Sequence, residues 1–263
     1  MNLLTLVTTP QTFTVQDGDF LLLVDATEAF GQRGGLPVED AEAICPVIER
    51  LYPLFAKENS GEVYDCHPKR ETGHIGFVTN YPGAVAGETF LTVESISSWS
   101  ESENGIAPDS PFTLSELRDY LSSSRDGGQM VWPVHAEDGT DEIDRFEPIK
   151  ILDMAFEIAK GEDPKCDSYS GAKDALGRDT GLIEKLRERG VKRVFLVGIA
   201  FDFCIGWTAF DLAEAGFEVY VVLDATRAVG VKTDAFDSVQ TMQSRLIAVG
   251  VHLITSEQIV AAA

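Results

Sequence analysis

The stretch Arg193-Val-Phe-Leu-Val-Gly-Ile-Ala-Phe-Asp-Phe-Cys204 decides the fold. Its first seven residues are a short, β-branched apolar run with polar residues on both sides, which predicts a buried strand. From Cys204 onward, Ile205, Thr208, Ala209, Leu212 and Ala213 recur at helical spacing. Cys204 therefore falls where a strand ends and a helix begins. The positive end of the helix dipole there favours a thiolate, and so a nucleophile. A buried structural cysteine is the alternative reading, because free cysteine is among the most buried residue types.

The same alternation extends in both directions. Residues 20–25 read as a buried strand ending on Asp25, residues 39–58 as a helix bent at Pro46, and residues 62–66 as a short strand. The neighbourhood of Val131 and residues 155–159 are two further candidate strands. Residues 182–189 read as a helix, 217–223 as a strand, 234–249 as a helix with Phe236 in register, and 251–255 as a last strand. Residues 257–262 add a helical turn. Alternating strands and helices predict an α/β fold of three layers, a mostly parallel β-sheet with helices on both faces. Ligands bind at the carboxyl ends of strands in such sheets. Asp25, Asp65 and the Cys204 segment all fall at such ends. One domain is expected over residues 1–263, carrying a Ser-, Gly- and acid-rich insert at about residues 76–128. Within it, residues 113–121 form a short helix capped by Thr113 or Ser115.

Composition narrows the classes of function. A net charge of −22, from 21 basic and 43 acidic residues, argues against nucleic acid or an anionic membrane as partner. It suits a neutral or cationic small molecule. Cys45, Cys66, Cys166 and Cys204 are too widely and irregularly spaced to look like a disulfide framework, so reduced thiols in a cytoplasmic protein are expected. The first nine residues lack the basic start and cleavage site of a signal peptide. No run approaches the roughly 18 apolar residues of a membrane span.

A second constellation is Asp65-Cys-His67-Pro68, then His74, then Trp132-Pro-Val-His135. Asp-x-His at a strand end lets both side chains point to the same side. Imidazoles with a carboxylate are a common ligand set for a divalent transition metal with open positions; surface histidines and a solvated aspartate are the alternative. Lys160-Gly161 closes an apolar stretch, and a lysine ending a buried strand needs a counter-charge. A lysine exposed at a strand exit is the other reading there.

Taken together, these motifs resemble nicotinamidases of the isochorismatase-like cysteine hydrolase superfamily. The resemblance rests on Val24-Asp25 with Phe30 and Gly34-Gly35, Asp65-x-His67-Pro68, Trp132-Pro-x-His135 and Lys160-Gly161. It extends to Asp167-Ser-Tyr-Ser170, Gly198-Ile-Ala-x-Asp-Phe-Cys204, and residues 217–222 with Asp224 and Arg227. It implies hydrolysis of nicotinamide to nicotinate and ammonia through a thioester on Cys204. In that scheme Asp25 is the acid/base, Lys160 the positioning charge, and the amides of Ala200 and Cys204 the oxyanion hole. A cis peptide is implied at Ile199–Ala200. Asp65, His67 and His135 would hold one divalent metal, zinc before iron or manganese, with His74 as a fourth candidate. Phe30, Trp132 and Phe203 would line the slot for the ring. Thr27-Glu28-Ala29 and Ala136 depart from the usual family pattern. The alternatives are a metal-dependent amidohydrolase for a different small carboxamide, or a non-catalytic metal-binding protein. The insert offers a contact surface for a homo-oligomer.

Overall fold

The computed structural model describes residues 3–7, 10–55, 57–100, 105–233 and 236–261. Six strands form one parallel sheet: β1 (Asp19–Val24), β2 (Ser60–Asp65), β3 (Glu157–Lys160), β4 (Arg193–Ile199), β5 (Glu218–Arg227) and β6 (His252–Ile254). Their order across the sheet is β3-β2-β1-β4-β5-β6, so the winding direction reverses between β1 and β4. A reversal of that kind opens a crevice at the carboxyl ends of the two strands.

Side-chain alternation along β1 and β4 explains why both faces are covered. Phe20, Leu22 and Val24 share one apolar cluster with Val194 and Leu196, and it is completed by α3 (Leu182–Glu188), α4 (Cys204–Glu214) and α5 (Ser238–Ala248). Leu21 and Leu23 point the other way with Phe195 and Val197, against α1 (Cys45–Leu51) and residues 146–149. Each fully buried leucine contributes about 2 kcal/mol by its removal from water. A strand apolar at every position is therefore stable only when buried on both faces.

The insert forms a third apolar cluster. Its helix α2 (Leu114–Ser123) starts with a capping box between Thr113 and Glu116 and buries Leu114, Leu117, Tyr120 and Leu121.

Several expected elements are corrected. The candidate strand near Val131 lies outside the main sheet: Gln129–Met130 pairs antiparallel with Phe90–Leu91 of the insert. The helix expected over 39–58 is broken into a 3₁₀ turn (Ala41–Ile44), α1 and a second turn (Tyr52–Leu54). Pro46 is accommodated in the first turn of α1, and Pro53 cannot continue it. Helix α5 starts only at Ser238, where Asp237 accepts the Gln240 N–H as cap, so Phe236 precedes the helix; residues 234–235 lie outside the described residues. Beyond β6, the helical turn is a 3₁₀ turn over Ser256–Gln258, after which Ile259–Val260 pairs in parallel with Phe13–Thr14; Ala262 lies outside the described residues. Among the described residues no helix is long and apolar enough to cross a membrane. All four cysteines are free and buried.

Candidate active site

Chain reversal puts three of the predicted residues in one crevice. Asp25 follows β1 directly, in the left-handed region at φ 51°. Its N–H donates to Val63 O at 2.9 Å and its Oδ1 accepts from Asp65 N–H at 2.7 Å, which over-determines that conformation. At the end of β4, Gly198 has φ +128°, and a Cβ there would sit 1.9 Å from Val24 O. Only glycine allows β4 to come this close to β1 before turning into the loop that leads to Cys204. The peptide Ile199–Ala200 is cis. The Ala200 carbonyl accepts from Phe203 N–H and Ile205 N–H, both at 3.0 Å. Cys204 is the first residue of α4, so the helix itself offers its amide no acceptor.

Lys160, at the end of β3, connects these groups. Its ammonium lies 3.0 Å from Asp25 Oδ2 and 3.5 Å from Cys204 Sγ; it donates to Asp65 Oδ1 and to Ser168 O at 3.0 Å. One oxygen each of Asp25 and Asp65 and the Cys204 sulfur lie within 4.8 Å of one another. Burial opposes the Lys160 charge, but the two carboxylates outweigh it and hold the ammonium protonated. Burial also opposes the Asp65 charge; Lys160 and His67 prevail and keep it ionised. Asp25 is left as the surplus acid. Burial and the neighbouring Asp65 charge raise it to about 7, against the pull of Lys160.

The thiolate expected at the helix start is not the resting form. Burial pushes the Cys204 thiol well above the usual range, and Asp25 and Asp65 add to this against Lys160. Desolvation of the buried sulfur outweighs the partial charge of a helix end. The thiol therefore needs a local base, and Asp25 is beside it.

Next to this group stands a second triad. Asp65 Oδ2 is 3.8 Å from the Nε2 of both His67 and His135, and the two rings lie 4.9 Å apart at 75°. His67 Nδ1 bonds Gly161 O at 3.0 Å, and His135 Nδ1 bonds Pro133 O at 2.8 Å. These carbonyls take the Nδ1 protons and leave both Nε2 lone pairs facing Asp65. Gly161, at φ +76°, is required: a Cβ there would lie 2.6 Å from His67 Cε1. Three convergent N/O donors with supported outer nitrogens fit a divalent transition ion with open positions. His74 stands outside that group. Its ring lies 4.4 Å from that of His67, but its Nδ1 accepts from Gly76 N–H at 3.2 Å and its Nε2 faces Cys166 O at 3.3 Å.

Both groups open into one largely apolar cavity that Phe30, Trp132, Ala200 and Phe203 line. The Trp132 and Phe203 rings meet edge to face at 4.9 Å, and Phe30 packs 5.7 Å from His135. Sequence reasoning assigned no role to Phe77, Asp167 or Tyr169, which line the same cavity. Asp167 and Tyr169 lay in plain view within the quoted Asp167–Ser170 motif. It also missed Asp202, whose buried carboxylate accepts from Val229 N–H, Gly230 N–H and Ser238 Oγ–H at 2.6–2.9 Å and ties down the 200–204 loop.

Comparison with known proteins bears on the family and the fold. The isochorismatase domain family matches residues 172–258. The nicotinamidase of Acinetobacter baylyi is 31% identical over 240 residues, 91% of this chain and 93% of that one. The chain belongs to the nicotinamidase family of isochorismatase-like hydrolases. An Acinetobacter baumanii nicotinamidase pyrazinamidase superposes with a TM-score of 0.73 at 30% identity, over 92% of this chain and 98% of that one. PnC1 from L. infantum, solved in complex with nicotinate, gives 0.69 at 25% identity over 95% and 100%. Family membership accounts for the parallel sheet with helices on both faces.

Proposed function

We propose that the protein hydrolyses nicotinamide to nicotinate and ammonia, with Cys204 as nucleophile, Asp25 as acid/base and Lys160 as the positioning charge. The observation that carries this reading is geometric: one buried ammonium, Lys160, lies 3.0 Å from Asp25 Oδ2 and 3.5 Å from Cys204 Sγ, so acid, thiol and charge converge at the cavity. Asp25 takes the Cys204 proton as the sulfur attacks the carboxamide carbon and forms the C–S bond. Negative charge on the carbonyl oxygen is received by the amides of Ala200 and Cys204; each such donor is worth about 3 kcal/mol in related chemistries. Asp25 returns the proton to the amide nitrogen as the C–N bond breaks, and ammonia leaves. Water then attacks the thioester as Asp25 takes its proton; the C–S bond breaks, Asp25 passes that proton to the departing sulfur, and the acid formed leaves as nicotinate with loss of its own proton to solvent. A general base placed this way contributes about 10²–10⁴-fold.

Asp65, His67 and His135 would hold a divalent ion, with zinc, iron and manganese all compatible with this donor set. When bound it would supply a Lewis-acidic position for the pyridine nitrogen. Phe30, Trp132 and Phe203 hold the ring by apolar and edge contacts.

The deciding assay is ammonia release from nicotinamide by the metal-loaded protein, beside Cys204→Ala and a chelated sample. Turnover abolished in both controls is expected. No release from nicotinamide with metal verified as bound would reject the substrate.

A further inference from the structure

We infer that Gln129 is a positioning residue that transmits the hold of the insert helix to Trp132 and so sets how tightly the aromatic slot grips its ring. Only its kinetic test rests on the amide hydrolysis proposed above. Gln129 is 2% exposed and carries no charge, yet every polar atom of its side chain is engaged. Tyr120 of α2 donates its hydroxyl to Gln129 Oε1 at 2.5 Å. Gln129 Nε2 donates to Asp167 Oδ2 at 2.5 Å and Met130 O at 2.7 Å, and it lies 3.4 Å from the Tyr169 hydroxyl. That hydroxyl accepts from Trp132 Nε1 at 2.9 Å. The Tyr169 ring packs 5.4 Å from Phe203, whose other neighbour is Trp132. A buried polar path thus runs from the insert to both aromatic walls of the cavity.

A fully satisfied buried network stiffens the groups it joins, and each unpaired member is costly. Methionine at 129 would preserve length but leave the Tyr120 hydroxyl and the Asp167 carboxylate without this partner. Asp167 and Tyr169 would then shift, and the Trp132 indole with them. Asp25 and Cys204 are not on this path, and Lys160 meets it only through the Ser168 backbone, whose N–H donates to the other Asp167 oxygen at 2.7 Å and whose carbonyl takes the ammonium at 3.0 Å, a link that Gln129 does not make. The loss therefore falls on ring binding, shared equally by ground and transition states, and raises KM while sparing kcat.

The test combines Gln129→Met, Tyr169→Phe and the double variant with two readouts. In Gln129→Met, KM for nicotinamide should rise about tenfold with kcat held within about twofold. The double variant should be no worse than the more severe single one, because both changes act through Trp132. Independently of turnover, hydrogen exchange of the Trp132 indole N–H, assigned by NMR with Trp132→Phe, should accelerate at least about tenfold in Gln129→Met. Unchanged indole exchange, a fall in kcat at constant KM, or additive effects would overturn the inference. If Gln129→Met does not fold, Tyr120→Phe cuts only the tether to α2 and should move both readouts in the same direction by less. If the wild-type protein releases no ammonia from nicotinamide, the proposed function falls, while indole exchange still decides the role of Gln129.

Discussion

At the amino end of β1 and β4, Asp19 and Arg193 stand directly opposite each other; at the carboxyl end of the same strands, Asp25 meets Lys160 and the Cys204 loop. The first pair is balanced. Arg193 Nε and Nη2 donate to the two Asp19 oxygens at 2.6 and 2.5 Å, and Gln16 N–H adds a third bond at 2.9 Å. Hydrogen bonding to Asp19 raises the guanidinium further above its ordinary range, so Arg193 keeps its charge near neutrality. The second group is unbalanced, with two buried carboxylates sharing one ammonium. Asp65 stays charged, and Asp25 is raised to about 7. Charge balance suits one end of the strand pair to a structural role, and charge imbalance suits the other to the proton transfer proposed above.

Four measurements would break or sharpen that contrast. The largest effect belongs to the reactive end. Cys204→Ala and Asp25→Asn should each lower kcat/KM on the order of 10⁴-fold while leaving the thermal midpoint within a few degrees of wild type; residual turnover in either within tenfold of wild type would remove it from the mechanism. Lys160→Met strands two buried carboxylates and should cost about 3–5 kcal/mol in urea unfolding as well as activity. An unchanged unfolding midpoint would mean that the ammonium does not hold the pair.

The balanced end should respond differently. Asp19→Asn is expected to cost about 2 kcal/mol of stability, below the usual range for a broken buried pair because Arg193 is partly exposed, with kcat unchanged. A matching loss of kcat there would collapse the distinction between the two ends. The smallest effect is a matter of pH. In chelated protein, Asp25 is neutral below about pH 7 and cannot accept the thiol proton; above it the carboxylate is available. Alkylation of Cys204 should therefore rise about tenfold per pH unit up to about 7 and then flatten. Asp25→Asn should abolish that step, and its persistence would assign the titration to another group.

Much of this was legible in the sequence because the signals are local. The apolar runs of β1 and β4 and the helical spacing after Cys204 follow from burial and periodicity within a few residues. The Asp65-x-His67 spacing works for the same reason, since two-residue spacing at a strand end is a property of the backbone. The weaker readings failed where a distant segment intervened. Gln129–Met130 left the main sheet because the insert supplied its own partner strand, and Ile259–Val260 extended because Phe13–Thr14 lay alongside.

By itself, then, the sequence determined the alternation of strands and helices, the strand-end placement of the acids and the cysteine, and part of the cavity's lining. Periodicity and residue type carry that information along the chain. Only the tertiary structure decided that one ammonium serves two carboxylates, that the Cys204 thiol rests protonated, and that Gln129 joins the insert to Trp132. Those outcomes depend on desolvation and on distances between groups up to 179 positions apart, from Asp25 to Cys204. Neither quantity exists until the sheet has brought its strand ends together.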